Sequence, residues 1–442
     1  MRNLERFRNI LFWTVDFIKG GKVAKHYKEI KYILENYNSP KAKQKPQINL
    51  ENLLHHAVNN TEFYKKNINY RSLNDFQVIN KNIVLDNIDK FKSLTHINKK
   101  SKYVSTSGST GIPLKLIHDV NKKHRNTADN IYFSKLSGFR IGHELLYLRH
   151  WREAHRKSML LSWIQNIYPI EVLDLNDDYI SKLINKLEKK ASNKGWLGYS
   201  SAFETICKYL DKTNSKPIEA NVKSIIAMSE GLNSYTKQGM LKYFKVPVVS
   251  RYSNMENGII ASQNIDGKND FIINWASYFI EVLKLNEDKP VKHGEKGRII
   301  VTDFFNFAMP LIRYDTGDIG TIDYSQSPPI FDVIEGRKSD VILDTKGKII
   351  SSFIIAEINS FNDIKQSQLI QEEEKKYVLK LNVTTKFDFE KEIIKKFKTF
   401  LGDDAEVLIE YVNEIPLLGS GKRKTTLNNY LSKNKNTSRI KN

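Results

Sequence analysis

Apolar positions change their spacing along this chain, and the changes divide it into three parts. Up to about residue 100 they recur every three to four residues, as in HYKEIKYILENYN (26–38), which predicts helices. From 101 to 335 short runs rich in β-branched and aromatic residues alternate with helical stretches. ELLYLRH (144–150), IEVLDL (170–175), WLGYS (196–200), SIIAMS (224–229) and VPVVSRY (246–252) predict strands. DDYISKLINKLEKKASN, SAFETICKYLDK and NSYTKQGMLKYF predict helices between them. Such alternation implies a largely parallel sheet covered on both faces. RIIVTDF (298–304) and the runs after it predict a further, antiparallel part. The pattern breaks at GRKSD (336–340), and strand, helix and strand follow over 376–415. The expected division is therefore a helical N-terminal region of the large domain (1–100), the core of the large domain (101–335) and a small α+β C-terminal domain (336–442). No internal repeat is visible.

Composition sharpens this picture. At 442 residues the chain exceeds the size of one hydrophobic core, and 40% apolar residues suffice to build two. Lys and Arg number 70 against 50 Asp and Glu, a formal charge of +20. That excess suits an anionic partner, although solvated Lys- and Asn-rich faces account for most of it. Residues 421–442 carry seven Lys or Arg and no acid. No nucleic-acid-binding motif accompanies the charge, so no nucleic acid partner is expected. The one cysteine, Cys207, excludes an internal disulfide, and its helical setting predicts a buried thiol. No apolar run approaches the roughly 18 residues of a membrane span. ILFWTVDFI (10–18) contains Asp16 and is flanked by Arg2, Arg6, Arg8, Lys19 and Lys22. It reads as an N-terminal helix docked on its domain, with peripheral membrane association as the alternative. A cytoplasmic location, with or without such surface association, is the expectation.

Five segments carry candidate chemistry. In YVSTSGSTGIPLKL (103–116), Ser105, Thr106, Ser107, Gly108, Ser109, Thr110 and Gly111 pack five hydroxyls and two glycines into seven positions. Converging backbone N–H groups in a Gly-rich turn cradle anions, and hydroxyls add donors. The run lacks the Gly-Lys-Ser/Thr ending of a P-loop. SRYSNMENG (250–258) delivers Tyr252 and Glu256 beyond a predicted strand, where α/β sheets bind ligands. A carboxylate there suits Mg²⁺, which needs one or two protein oxygens plus phosphate. LIRYDTGDIG (311–320) places Asp315 and Asp318 in a turn, and a carboxylate accepts two hydrogen bonds. IEGRKSDVI (334–342) offers the planar donor fork of Arg337. In EIPLLGSGKRKTT (414–426), Gly419 and Gly421 place Lys422 on a flexible loop. Taken singly, each is matched by an ordinary loop, turn or solvated tail.

In this order, STSGSTGxPLK, YxxxE, RYxTGD, GRxxD and PxxxxGK resemble the adenylate-forming enzyme superfamily over residues 103–424. WLGYSSAFETICKYL, IIAMSEGLNS and YSNMENG resemble its phenylacetate-CoA ligase group. FWTVDFIKGGKVAKHYKEI resembles the CapK-type branch found with bacterial capsule and surface-polysaccharide biosynthesis. The resemblance implies a large α/β N-terminal domain with mixed sheets and a small α+β C-terminal domain. It implies an ATP- and Mg²⁺-dependent ligase that activates a carboxylic or amino acid as acyl-AMP. Coenzyme A, a carrier protein and an amino-sugar are the candidate acceptors. The Ser105–Gly111 loop would hold the β- and γ-phosphates, and Glu256 the Mg²⁺. Ser229, Glu230, Gly231 and Tyr252 would line the adenine pocket. Asp318, assisted by Arg337, would bind the ribose, and Lys422 would enter the site during adenylation. Ser339 stands where many relatives carry an acidic hinge residue, and Pro113-Leu114-Lys115 departs from their usual pattern. His150, Trp151 and Arg152 are candidates for the acid pocket. An aryl- or acyl-CoA ligase and a non-catalytic membrane-surface assembly protein are the alternative readings.

Overall fold

The computed structural model describes residues 2–105, 114–151, 159–266, 269–337, 342–350, 363–383, 387–416 and 424–431. Three long helices open the chain: α1 (Arg2–Ile18), α2 (Lys22–Glu35) and α3 (Pro40–Asn60). Ser39 caps α3 by accepting the Ala42 N–H, and Pro40 fills the first turn, where a missing donor costs nothing. Residues 61–100 are mostly irregular, with α4 (Lys81–Asp86) between their turns. Tyr64, Phe76 and Phe91 anchor them against the buried Met309–Tyr314 segment.

The large domain is organised by an 11-stranded sheet. A short hairpin, β1 (Ser101–Ser105) and β2 (Lys115–Asp119), leads into α5 (Val120–Leu136). Then come β3 (Glu144–Arg149), α6 (Met159–Gln165), β4 (Ile167–Glu171), α7 (Asp177–Glu188) and β5 (Lys194–Tyr199). The series continues through α8 (Ser200–Lys212), β6 (Val222–Met228), α9 (Ser234–Phe244) and β7 (Val248–Asn254). Strands β3 to β7 pair in parallel in the order β4-β3-β5-β6-β7. Every residue of β5 is buried, as a strand covered on both faces requires, and Trp196, Ile225 and Phe203 centre that core. Cys207 lies inside it, where burial pushes its thiol up to about 12.

The strand expected over IEVLDL (170–175) instead spans Ile167–Glu171. The Glu171 carboxylate accepts the Leu173 N–H at 3.2 Å, and Val172–Asp174 close into a 3-10 turn. The helix expected to reach Asn193 ends at Glu188.

Beyond β7 the sheet turns antiparallel, in the order β7-β8-β9-β13-β12-β11-β10. These are β8 (Gly258–Gln263), β9 (Phe271–Ile273), β10 (Tyr278–Leu283), β11 (Gly297–Asp303), β12 (Tyr314–Asp323) and β13 (Ile330–Arg337). This half curls around Ile260, Ile273, Ile280, Val301 and Phe331. The C-terminal part has its own core of Leu369, Tyr377, Leu379, Ile393 and Phe397. It contains the small pair β14 (Ile342–Leu343) and β15 (Ile349–Ile350). Its four-stranded sheet comprises β16 (Ile364–Gln371), β17 (Lys376–Val383), β18 (Glu406–Tyr411) and β19 (Thr426–Asn428), with α10 (Glu390–Leu401) against it. The architecture is thus a large mixed α/β domain followed by a smaller α+β one.

Candidate functional site

Parallel pairing brings the carboxyl ends of β3, β5, β6 and β7 to one edge of the sheet, the edge at which open α/β sheets receive ligands. After β6 the backbone turns through Ser229, which adopts a left-handed φ of 69°. A non-glycine residue there is uncommon, and it redirects the chain sharply at the strand end. The next residue fixes the turn: the Glu230 carboxylate accepts the Ser201 N–H at 2.9 Å, at the positive end of α8. Ser229, Glu230 and Gly231 are thereby tied to the β5–α8 junction.

One strand further, β7 carries Tyr252. Its hydroxyl donates to Asp318 Oδ2 at 2.7 Å and lies 3.2 Å from Thr316 Oγ1. Strands β8, β9 and β13 lie between β7 and β12 in the sheet order, so this bridge exists because the antiparallel half curls back. Burial pushes the Tyr252 phenol well above its ordinary value, and the Asp318 charge adds to the shift. Tyr252 therefore remains a hydrogen-bond donor. Asp318 is the register partner of Arg337 on β13. The glycines before each, Gly317 and Gly336, have φ of 77° and 86°, and a Cβ on either would meet nothing within 4 Å. Among the described residues, nothing therefore crowds the backbone at Gly317 and Gly336 beside Asp318.

The two acids of Asp315-Thr-Gly-Asp318 have separate tasks. Asp315 pairs with Arg298 at 2.8 Å and accepts the Gly317 N–H, so it holds the turn. Arg313 enters that turn with φ of 52° and grips Glu281 through two nitrogens, at 2.8 and 3.1 Å.

Glu256 occupies the turn between β7 and β8. Its Oε1 accepts the Tyr314 hydroxyl at 3.2 Å, and its carbonyl accepts His118 Nε2 at 2.9 Å. Burial, then the Lys122 charge, pushes His118 down to about 4, so the ring is neutral and donates through Nε2. The adjacent Asn257 carbonyl accepts the buried Tyr278 hydroxyl at 2.5 Å. Lys122, paired with Asp303 in the interior, reaches the same hydroxyl at 3.3 Å. Glu256 therefore sits on a rigidly backed turn. His118 also links it to the β1–β2 hairpin, whose last register pair is Ser105 with Lys115. Ser105 is exposed at the mouth of that hairpin.

Among the described residues no cluster of three or more His, Cys, Asp or Glu side chains exists to cage a metal. The donor set fits Mg²⁺ held by the single Glu256 carboxylate together with phosphate oxygens and water.

Thr106 to Gly111, Arg152, Ser339 and Lys422 lie outside the described residues. Tyr252, Glu256 and Asp318 lie close enough for both carboxylates to act on the Tyr252 phenol, and Asp318 pairs in register with Arg337. His150 and Trp151 stand apart, at the end of β3, three strand positions from β7 and so about 14 Å away along the sheet. Both are held by Glu171, through His150 Nδ1 at 3.1 Å and the Trp151 N–H at 2.8 Å. Trp151, Glu171, Pro169 and Tyr179 line a shallow depression of about 380 Å³ at that end of the sheet.

His118 and Arg251 escaped the sequence reading, and Tyr314 and Thr316 entered it only as members of the RYxTGD motif, without a role. Arg251 immediately precedes Tyr252 and is buried. Its closest partners are Asn130 Oδ1 at 3.4 Å and Met228 Sδ at 3.7 Å, and Nε has none. Among the described residues no carboxylate pairs with it. Burial pulls its guanidinium below the ordinary value, the direction expected of a charge in need of an anion.

Residues 341–429 match the CapK C-terminal domain family. Protein CapK of Staphylococcus aureus is 24% identical over 448 residues, covering 93% of this chain and 94% of that protein. A crystal structure of 2-hydroxyisobutyryl-CoA ligase in the postadenylation state, in complex with R3-HIB-AMP, superposes with a TM-score of 0.69 at 12% identity. That match covers 91% of this chain and 93% of the other. ATP-bound MatB from Rhodopseudomonas palustris gives a TM-score of 0.53 at 17% identity, over 77% of this chain and 67% of that one. The chain is thus similar to Protein CapK over most of its length, its C-terminal residues match the CapK C-terminal domain family, and its fold is like that of these two structures.

Proposed function

We propose that this protein is an ATP-dependent ligase that joins a carboxylic acid to AMP and releases pyrophosphate. The observation that carries the reading is the Tyr252–Asp318 hydrogen bond, which closes a cleft with Glu256 on the same strand connection. In that cleft Asp318 binds the ribose hydroxyls while Tyr252, kept protonated, orients its carboxylate. Ser229 to Gly231 and the Tyr252 ring flank the adenine. The acid needs no general base, because a carboxylate is ionised near neutral pH. Its oxygen forms a bond to the α-phosphorus as the bond to pyrophosphate breaks. Both reactants are anions, so positioning and compensating charge supply most of the acceleration. Glu256 would hold Mg²⁺, which would supply positive charge to the phosphates, and Lys422 brings a cation to the reacting oxygens.

The acyl group then passes to a nucleophile. The relatives of like fold include a CoA ligase, which supports a thiol such as coenzyme A or a carrier. An amino-sugar in surface-polysaccharide synthesis, the acceptor implied by the resemblance of the sequence motifs, is the second reading. Arg251 supports an acid with a second anionic or strongly accepting group, since binding it would supply the missing counter-charge. A panel of monocarboxylic, dicarboxylic, hydroxy and amino acids, scored by pyrophosphate release, tests the proposal. Acid-dependent release that Asp318→Ala abolishes is expected; no release with any acid contradicts it.

A further inference from the structure

The N-terminal helix turns an apolar face away from the protein. At 3.6 residues per turn, Leu4, Phe7, Leu11, Val15 and Ile18 fall on one line along α1. On that line Phe7 is 56% exposed and Ile18 77%, and Phe17 beside it is 80% exposed. This side is not a frayed end. The opposite face is fastened to the domain: Glu5 accepts the backbone and side-chain N–H groups of Asn193, each at 2.8 Å. Asp16 accepts the N–H groups of Val23 and Ala24 at 3.1 and 2.9 Å, and Trp13 packs on Tyr27. Gly142 approaches the Glu5 carbonyl so closely that a Cβ there would lie 2.2 Å from it. The helix is therefore held with its greasy side out.

Charge selects the occupant. The two acids of α1 are both turned inward and engaged, so the outward side carries none. Arg6 lies on one flank of the stripe and Arg8 and Lys19 on the other, in a chain of net charge +20. A second element, distant in sequence, joins the surface. Arg8 donates to the Trp163 carbonyl at 3.3 Å and covers the Trp163 ring at 5.4 Å, and that indole is 62% exposed on α6. Apolar stripe, basic flanks and an adjacent exposed tryptophan are what a helix lying in a lipid headgroup layer requires. No helix among the described residues is long and apolar enough to cross a membrane, so the contact is made in the plane of the surface. We infer that α1 and Trp163 together form a docking surface for an anionic lipid bilayer.

Vesicle flotation of the full chain tests this with phosphatidylglycerol/phosphatidylcholine mixtures against pure phosphatidylcholine. The wild type should float with anionic vesicles, bind pure phosphatidylcholine at least tenfold more weakly, and lose binding in high salt. Phe7→Ser with Ile18→Ser leaves the net charge unchanged and should lower anionic-vesicle binding at least tenfold, with the melting temperature preserved. Phe7→Leu with Ile18→Leu should bind like the wild type. Brominated acyl chains should quench a fluorescence component that Trp163→Phe removes. Binding unaffected by the serine pair would overturn the inference, since charge alone would then hold the protein. So would a wild-type dimer that the serine pair splits into monomers, because a second copy would then cover the stripe.

Discussion

Replacing Tyr252 by Phe removes one hydroxyl and keeps the ring. The lost bond is a 2.7 Å contact from a phenol to a carboxylate, made in a part-buried setting. Hydrogen bonds to charged groups contribute about 1.5–3 kcal/mol net. For a domain this large that lowers the melting temperature by about 3–6 °C. The catalytic effect is separate. If Asp318 binds ribose equally in the ground and transition states, loosening it raises KM for ATP and leaves kcat nearly unchanged. About 1.4 kcal/mol of lost orientation corresponds to a tenfold higher KM. Pyrophosphate-release kinetics over an ATP titration at saturating Mg²⁺ measures both constants. Tyr314→Phe is the matched control, because it removes the hydroxyl from Glu256 instead. It should raise the Mg²⁺ requirement and lower kcat while KM for ATP stays within about twofold. A Tyr252→Phe enzyme that melts earlier but keeps its KM for ATP would refute the ribose role of Asp318.

Further expectations follow from single groups. His118 is lowered to about 4 in the fold against about 6.5 unfolded, so the unfolded chain binds more protons between those values. Its contribution is present above pH 6.5 and is lost as pH falls towards 4, on the order of 3 kcal/mol in all. His118→Gln should flatten that acid limb in denaturant titrations at several pH values. Lys422→Ala should slow pyrophosphate release about 10²- to 10³-fold, as loss of an oxyanion donor does, without changing ATP affinity measured by calorimetry. Arg251→Met should hold or raise the melting temperature, since it removes a buried charge that lacks a carboxylate. The same variant should lose the acids with a second anionic group while retaining simple ones, and a fall in stability with unchanged acid preference would contradict this.

The parallel half of the fold was readable because its strands are buried on both faces and so appear as near-continuous apolar runs, WLGYS and SIIAMS above all. IEVLDL misled because the apolar pattern runs on through a turn that one carboxylate, Glu171, imposes. The motif segments were visible as local clusters, but their partners were not. Tyr314 meets Glu256 across 58 residues of sequence, and His118 meets the same residue's carbonyl across 138. Spacing alone cannot show that Asp315 answers to Arg298 and Asp318 to Tyr252; the curl of the antiparallel half decides it. Arg251 was hidden for the opposite reason, as its strand partners are ordinary and only burial makes its charge conspicuous.

Calorimetric titration of the protein with ATP and Mg²⁺ tests the central claim most directly. One site per chain, lost in Asp318→Ala and weakened in Tyr252→Phe, is the predicted result. Heat of binding that is absent in the wild type, or identical in Asp318→Ala, would contradict a nucleotide cleft between β7 and β12.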